Sequence, residues 1–303
     1  MATMAQRWIG VQDALQGHID KLAKEITALT AAGQTITPAR LAEMARYQDL
    51  LMQARREIAR YAQAAARTVT AEQAALAQLA LTQAQQALLA QIGLTFSLLP
   101  TAAVEAMIGL TAAGSPLYDV LLATWPDAID GLTKALIDGT ALGWNPRKTA
   151  RAMREGIDKA LERMLTIARS EQLRVYRHAT LEGYRQSGVV RGYKRICAKQ
   201  ERTCIACLVE DGRFYELANE FSDHVNGRCA AVPCVRNRND PQWETGRTWF
   251  EGLDDEAQQR IMGREYWEAW RDGAFGLDDV ADHTSSPIWG DSIRTKSLRE
   301  LIP

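Results

Sequence analysis

All five cysteines of this 303-residue chain lie within one short stretch, residues 197–234. Cys204 and Cys207 form a C-x2-C pair, His224 follows after sixteen residues, and Cys229 follows after four more. Two cysteines in a tight turn can bind one metal ion, and a His and a Cys from a later loop complete a tetrahedron, a usual geometry of structural zinc. Because four protein ligands leave no position for water, the spacing predicts a structural zinc site and not a reaction centre.

The same cysteines allow other interpretations. Cysteine is often buried as a small apolar residue, and a thiol can also carry redox or catalytic chemistry. The clustering beside polar, loop-forming residues favours the metal site. Cys197 and Cys234 are left over; they could replace a ligand or form a disulfide, and the sequence does not rank these options. No basic region followed by an apolar run opens the chain, so we expect no secretion signal and reduced cysteines.

The net charge of −1 hides an uneven distribution. Residues 151–200 contain 12 Lys and Arg against 5 Asp and Glu, and residues 201–303 contain 12 against 20. The basic segment could contact nucleic acid or an acidic protein surface. It could equally be a solvated helix face that pairs with the acidic segment. The surplus is modest and contains no block of like charges, which favours the second interpretation.

The N-terminal part of the chain has the pattern of long helices. Apolar residues between positions 7 and 31 recur at alternating spacings of four and three, which is a heptad seam. The seam consists of Leu15, Ile19, Leu22, Ile26 and Leu29. Thr37 can cap a second helix, with Pro38 as its first residue. We expect a long antiparallel hairpin, either a coiled-coil arm of the kind that serves assembly or part of an ordinary helical bundle.

A third helix is predicted to start at the capping-box pair Thr70 and Gln73. No charged residue occurs from Gln73 to Val104, so a transmembrane helix over residues 87–104 has to be considered. Repeated glutamines, Pro100 and the absence of a flanking charge pattern argue against it. We prefer a buried or subunit-facing helix, followed by a short helix that starts at Pro100.

The second half of the chain opens with another long helix. Asn145 can cap it, Pro146 can be its first residue, and a break near Gly156 is compatible with the pattern. Gly188 is placed to end the helix as a C-cap residue. Residues 189–196 then have the alternation of a β-strand that leads into the C-x2-C turn.

Short elements are predicted for the rest of the chain. Asp211-Gly212 is a hairpin-type turn between Leu208-Val209 and Phe214-Tyr215. Short strands with too little core of their own are typical of small zinc modules, which the metal stabilises. Helices are expected over residues 248–271, and an extended tail that docks on another surface over 284–303.

Together these elements predict a mainly α protein with a long N-terminal helical hairpin and a small α+β, zinc-stapled C-terminal module. The predicted parts are residues 1–95 as the hairpin, 96–188 as a helical domain, 189–240 as a short-strand Cys/His module, and 241–303 as C-terminal helices with an extended docking tail.

Four stretches of the chain carry a recognisable pattern. They are I-A-R-S-E-Q-L-R-V-Y (167–176), Y-R-Q-S-G-V-V-R-G-Y-K-R (184–195), R-T-C-I-A-C-L-V-E-D-G (202–212) and H-V-N-G-R-C-A-A-V-P (224–233). These motifs resemble the minor head, or head-morphogenesis, family of tailed phages, and the resemblance covers about residues 95–300. The N-terminal hairpin is not diagnostic. The chain departs from the family in two places: Gln200-Glu201 stand where members often have aspartate, and Val225 stands where proline often follows the histidine.

The resemblance implies a structural protein and carries the four proposed zinc ligands over position by position. Family members sit in the phage head near the portal and assist head assembly, DNA packaging or DNA release. The expected partners are therefore the portal protein, other head proteins and, through residues 151–200, packaged DNA. Neither a membrane nor a small-molecule substrate is expected. The expected location is the virion, in the capsid interior or at the portal vertex, and the host cytoplasm during assembly.

Two other functions are compatible with the cysteine pattern. A zinc-stapled DNA-binding protein would need a recognition helix rich in Arg, Lys and Asn, but residues 235–240 are short and loop-like. Asp223-His224 with Asn226 after a C-x2-C pair partly matches an HNH-like metal-dependent nuclease. That pattern lacks a following Gly-Gly and a second C-x2-C pair, and His224 would be used by zinc. No phosphate-binding loop, dinucleotide motif or G-x-S-x-G motif is present, so we do not expect an enzyme.

Overall fold

A computed structural model describes residues 2–93, 98, 102–111, 114–286 and 290–302. The longer helices are α1 (Ala2–Ala31), α3 (Ala45–Ile92), α6 (Trp125–Ala141) and α7 (Pro146–Ser187). The shorter ones are α2 (Pro38–Glu43), α4 (Ala102–Glu105), α5 (Leu117–Leu122), α8 (Ile205–Glu210), α9 (Gly246–Glu251), α10 (Asp255–Met262), α11 (Arg264–Arg271) and α12 (Leu298–Leu301), with a 3-10 turn at Leu277–Asp279. The strands are β1 (Val190–Ile196), β2 (Phe214–Glu216), β3 (Ala230–Val235), β4 (Ala281–Ser286) and β5 (Gly290–Thr295).

The chain is mainly helical, with long N-terminal helices and a small sheet region in its C-terminal part, which confirms the predicted fold class. It divides into two compact units, residues 1–70 with 115–169 and residues 71–114 with 170–303. α3 and α7 contribute their N-terminal parts to the first unit and their C-terminal parts to the second. The four-part division made from the sequence remains a prediction.

The first unit is a helical bundle built on the predicted hairpin. α1 and the start of α3 run antiparallel, so that Trp8 packs edge-on against Tyr61 and Glu25 pairs with Arg46 at 3.1 Å. Trp8 also donates its indole N–H to Asp158 of α7 at 2.7 Å. The seam residues Leu15, Ile19, Leu22 and Ile26 are buried. The hairpin is therefore integrated into a bundle, because the other helices of the unit cover its apolar seam.

The predicted helix ends are largely confirmed. The Thr37 side chain accepts a hydrogen bond from the Arg40 amide at 3.2 Å, and the Asn145 side chain accepts one from the Lys148 amide at 2.9 Å. In both helices the first residue is proline. Gly188 follows α7 with φ 67°, a conformation that favours glycine at the end of a helix.

Two expected interruptions are wrong. α3 continues through Thr70, and the Gln73 side chain is buried and accepts the Gly109 amide at 2.8 Å, so it is not available to a capping box. α7 also continues through Gly156, because a single glycine weakens a helix without ending it. The predicted helix start at Pro100 lies outside the described residues. Within the described part of the chain, no helix is both long and apolar enough to cross a membrane.

The second unit contains a three-stranded antiparallel sheet in the order β2-β1-β3. Lys194 of β1 lies opposite Phe214 on one side and Val232 on the other. Tyr193 of the same strand packs with Leu88 of α3 and other apolar residues of the two long helices. The sheet thus lies on the C-terminal parts of α3 and α7. β1 confirms the strand predicted at 189–196.

The C-x2-C segment is helical where a strand was predicted. Leu208 and Val209 belong to α8, and Gly212, with φ 86°, turns the chain from α8 into β2. Ile205, Ala206, Cys207 and Leu208 are all buried. Consecutive buried residues fit a helix enclosed on every side, whereas a half-exposed strand would alternate.

The C-terminal segment folds onto its own unit and is not an extended tail. β4 and β5 pair antiparallel, with Ala281 opposite Thr295, and Ile293 is buried. Leu298 and Leu301 of α12 pack against the core that contains Cys207 and Cys229, two of the predicted ligands. Strand pairing satisfies the main chain of this polar segment, and the few apolar residues anchor it. Residues 287–289 lie outside the described part.

Candidate metal centre

The four predicted ligands come from two segments of the second unit. Cys204 is the N-cap residue of α8 and Cys207 lies in the first turn of that helix. His224 and Cys229 lie in the loop between β2 and β3. This loop turns sharply where the Gly227 amide donates to the His224 carbonyl at 2.8 Å. A helix start and a tight turn therefore present the side chains to one another.

Glycine is required at position 227 for steric reasons. A Cβ atom there would collide with the carboxylate of Asp223. The preceding residue, Asn226, has φ 61°, a left-handed conformation that asparagine tolerates better than most residues. The sequence N-G thus allows the chain to fold back tightly beside Asp223 before it reaches Cys229.

Ligand atoms of all four residues lie close together around Cys207. One atom each from Cys204, Cys207 and His224 lie within 4.8 Å of one another, and the same holds for Cys207, Asp223 and Cys229. The Cys204 Sγ atom is 3.4 Å from His224 Nε2. The structure therefore unites the predicted ligands and adds Asp223, and these residues could hold a metal ion.

The His224 ring is oriented for ligation through Nε2. Its Nδ1 atom lies 2.8 Å from the carbonyl oxygen of Val225. A carbonyl can only accept, so Nδ1 carries the proton, and the lone pair of the neutral ring is on Nε2, which faces the sulfurs. Metal-bound histidines commonly donate their second N–H to a carbonyl or carboxylate in this way. The main chain next to His224 thus selects the tautomer that a metal ion needs.

The clustered thiols and imidazole perturb one another. A hydrogen bond with Cys207 raises the pKa of His224 to about 9, against the opposing effect of burial. A hydrogen bond involving Cys207 also lowers the pKa of Cys204, and the same bond raises that of Cys207. Hydrogen bonding with Cys207 and burial raise the pKa of Cys229. Cys204, His224 and Cys229 thus each form a hydrogen bond with Cys207, because the four side chains share one small volume.

Asp223 entered the sequence analysis only as part of an HNH-like pattern, and the structure places it beside Cys207 and Cys229. Its side chain is 1% exposed, and its two oxygens are each 2.6 Å from a guanidinium, Oδ2 from Arg177 and Oδ1 from Arg195. Oδ1 also accepts the His224 amide at 3.0 Å. Its position directly before the histidine is visible in the sequence, but the two arginines that neutralise it come from distant elements.

Arg177 and Arg195 also hold the main chain of the ligand loop. Arg177, on α7, donates to the carbonyls of Cys229 at 2.9 Å and Gly227 at 2.6 Å. Arg195, on β1, donates to the carbonyl of Ser222 at 2.7 Å. A helix and a strand thus fix the loop at both ends of its turn, so the arrangement of the ligands does not depend on the loop alone.

A second buried carboxylate fixes the end of α8. Asp211 accepts the amides of Cys197 and Gly246, each at 2.7 Å, and the indole N–H of Trp243 at 3.1 Å. Lys199 approaches the same carboxylate at 3.4 Å. Asp211 therefore ties the segment after α8 to the end of β1 and to the start of α9.

The two remaining cysteines are buried free thiols. Cys197 packs in the core that includes Cys207 and Cys229, and burial raises its pKa to about 12. Cys234 lies in β3 opposite Gly192, and burial raises its pKa to about 11. Neither forms a disulfide or belongs to the ligand groups found among the described residues. Cys197 therefore packs as an apolar residue, whereas Cys234 lies near Asp240, Arg191 and Lys194.

Several arginines of residues 151–200 are engaged in contacts within the protein. Arg177 and Arg195 are buried against Asp223. Arg185 donates to the carbonyl of Leu217 at 2.7 Å, and Arg191 pairs with Asp240 at 2.7 Å. These contacts favour the interpretation that the basic segment pairs with the acidic part that follows it.

A cavity of about 310 Å³ opens beside the centre within the second unit. Its lining includes His178, Arg185, Glu220, His224 and Asp291. The side chain of His224 is 34% exposed, so one edge of the centre is accessible from this cavity.

Comparisons of the chain with models of known protein families, with curated protein sequences and with solved structures found no match. What the centre supports therefore follows from its own geometry.

Proposed function

We propose that the protein is a structural minor head protein of a tailed phage or prophage, which associates with the portal and assists head assembly, DNA packaging or DNA release. In this role the centre binds one structural zinc ion through Cys204, Cys207, His224 and Cys229. The protein acts in the virion, at the capsid interior or portal vertex, after assembly in the host cytoplasm.

The observation that carries this proposal is the mutual contact of all four family-like motifs. The Asn226 amide donates to Ser170, which links the motif at 167–176 to the histidine motif at 224–233. Tyr184 donates to the Ala231 carbonyl at 3.0 Å, linking the motif at 184–195 to the same segment. The cysteine motif joins through the 3.4 Å approach of Cys204 to His224. Four motifs separated in sequence form one compact site, as expected if they describe one family module.

Zinc suits the donor set better than other common ions. Three thiols and an imidazole are soft to borderline ligands, and four of them make a closed tetrahedral site. Three features hold the ligands in place. Cys204 is the N-cap residue of α8, and the Val225 carbonyl accepts from the His224 ring. Arg177 and Arg195, here called the arginine clamp, bind the carbonyls of the ligand loop. Zinc bound here would supply cross-linking between α8 and the β2–β3 loop.

Metal content tests the zinc assignment. Protein purified without chelator is expected to contain about one zinc ion per chain by elemental analysis, and the Cys204→Ser, Cys207→Ser double variant to contain none. A Cys234→Ser variant is the control, since this thiol lies outside the ligand group, and it should keep the ion. Zinc-free wild-type protein would overturn the assignment.

Association with the portal tests the head-protein role. The chain is co-expressed with the portal protein of the same phage genome, and the portal is purified through its own tag. We expect the chain to co-purify, and to be present in purified particles by mass spectrometry. Absence from both the portal and the particles would overturn the head-protein role even if zinc is bound.

A metal-dependent nuclease is the second candidate, because His224 borders an accessible cavity that also contains Glu220 and Asp291. Incubation of the purified protein with supercoiled plasmid and Mg²⁺, Mn²⁺ or Zn²⁺ tests it. Under our proposal no nicking activity co-purifies with the protein. Nicking that persists through purification and disappears in Glu220→Gln, while zinc content is unchanged, would favour the nuclease.

A further inference from the structure

The side chain of Arg195 reaches the metal centre from the sheet. It is 2% exposed, and its Nη2 atom lies 3.6 Å from Cys207 Sγ and 2.6 Å from Asp223 Oδ1. Its Nη1 atom donates to the Ser222 carbonyl. Since three acceptors in different directions hold the planar guanidinium, its position relative to the Cys207 sulfur is fixed.

The formal charges of the buried groups explain why Arg195 lies beside Cys207 and Asp223. A dication bound by three thiolates and a neutral imidazole carries one net negative charge, and Asp223 adds a second. Arg177 and Arg195 supply two positive charges, and both are buried with Asp223. Buried charge has to be compensated by nearby charge. The loaded centre and this ion cluster are together neutral.

Asp223 lies near enough to bind an ion, but both of its oxygens are already engaged by the two arginines. Its Oδ1 atom accepts from Arg195 and from the His224 amide, and Oδ2 accepts from Arg177 at 2.6 Å. Both oxygens are thus directed at N–H donors. Oδ1 also accepts a weak hydrogen bond from the Cys207 thiol, whose Sγ atom lies 3.8 Å away.

From these contacts we infer that Arg195 is a positioning residue of the metal centre. It donates a hydrogen bond to the Cys207 thiolate and neutralises part of the charge of the loaded site, and Asp223 holds it there. The inference rests on the proposed zinc site. It assigns to a residue outside the four ligands a direct effect on metal affinity and on the electronic state of one metal–sulfur bond.

The test compares metal binding by Arg195→Met, Arg195→Lys and wild-type protein. Zinc affinity is measured by competition with a chromophoric chelator, and Co²⁺ replaces zinc to report the sulfur-to-metal charge-transfer band. Loss of an outer contact to a ligand typically lowers metal affinity about 10- to 100-fold, and we expect this for Arg195→Met together with a shifted band. Arg195→Lys keeps the positive charge but loses the planar set of N–H donors. Its zinc affinity should therefore lie between those of Arg195→Met and wild type.

Arg191→Met is the matched control. Arg191 lies on the same strand, but its guanidinium pairs with Asp240 and stacks on Phe214, and it contacts none of the four predicted ligands. It should leave both the affinity and the cobalt spectrum unchanged. If Arg195→Met does not fold, Arg195→Lys carries the comparison.

The outcomes separate this inference from the zinc assignment. Wild-type protein that binds neither Zn²⁺ nor Co²⁺ overturns the assignment itself. If wild type binds but Arg195→Met and Arg195→Lys match the Arg191 control in affinity and spectrum, the role of Arg195 is refuted. Asp223→Asn should weaken binding in the same way; complete loss of metal, as in Cys204→Ser, would instead make Asp223 a ligand.

Discussion

Gly131 on α6 and Gly156 on α7 bring the backbones of their two helices into direct contact. A Cβ atom built on either glycine would overlap the main-chain atoms of the other, at distances that real side chains do not show. Helices usually pack through side chains at interaxial distances of roughly 8–10 Å. Here both helices have glycine at the point of contact, so no side chain separates them, and they cross more closely in the core of the first unit.

Gly156→Ala should therefore destabilise the protein although alanine is the better helix former. Overpacking of a closed core typically costs about 1–3 kcal/mol, which exceeds the gain of roughly 1 kcal/mol for replacing glycine in a helix. Urea denaturation should show a lower midpoint. Gly10→Ala in α1 is the control, because its Cβ would meet nothing within 4 Å. We expect Gly10→Ala to raise the free energy of unfolding by about 0.5–1 kcal/mol. If Gly156→Ala instead stabilised the protein, α6 and α7 could move apart without a loss in the free energy of unfolding.

Local sequence signals predicted the helix ends and the clustering of the cysteines with His224, because caps and the C-x2-C spacing act over a few residues. Thr37, Asn145 and Gly188 perform the roles expected of them. The error at Leu208-Val209 arose because a short apolar run fits either a strand or an enclosed helix.

Long-range contacts were beyond the sequence. From the sequence, Gly156 indicated a break in the helix. Its actual role, close contact with Gly131, is visible only in the packing of the two helices. The same holds for Asp223, whose partners Arg177 and Arg195 lie 46 and 28 residues away along the chain. Two arginines counted as surface charge are in fact buried counter-ions.

Removal of the Asp211 carboxylate should be strongly destabilising. In Asp211→Ala the amides of Cys197 and Gly246 lose their acceptor, and each unsatisfied buried group costs about 1–3 kcal/mol. We expect a loss of about 3 kcal/mol or more in the free energy of unfolding. Asp278→Ala serves as the control, because that carboxylate is 83% exposed and its pairing with Arg247 should be worth less than about 1 kcal/mol. Equal effects of the two variants in thermal denaturation would contradict the anchoring role of Asp211.

Contact between the basic segment and DNA should depend on its exposed residues alone. Arg151 and Lys159 are exposed and lie eight residues apart on α7, hence on the same side of the helix. If the segment contacts DNA, as the proposed head role allows, the Arg151→Gln, Lys159→Gln variant should bind duplex DNA more weakly, with a shallower dependence of affinity on salt. Each lost phosphate contact lowers the slope by about 0.9. Fluorescence anisotropy at several salt concentrations measures this. Lys134→Gln, a change at an exposed lysine that pairs with Asp138, is the control outside the basic segment. Identical slopes for all three proteins would remove residues 151 and 159 from any DNA contact.

Metal removal should loosen the ligand segments while leaving the sheet in place. Arg177 and Arg195 bind the loop carbonyls independently of the ion, and β1 pairs with β3 from Val190 to Ile196. After chelation we therefore expect faster amide hydrogen exchange at residues 204–210 and 223–229, and little change in β1. An ion present at 1,000 times its dissociation constant contributes about 4 kcal/mol, so the melting temperature should also fall.

Matched variants decide whether the metal causes this change. The Cys204→Ser, Cys207→Ser protein should exchange like the chelated wild type and should not respond to chelator. Cys234→Ser should keep the response, since Cys234 lies outside the ligand group. Exchange at the ligand segments that stays unchanged when the ion leaves would mean that the arginine clamp alone holds the loop. Global unfolding on chelation would mean the opposite, that the clamp cannot hold the loop without the ion.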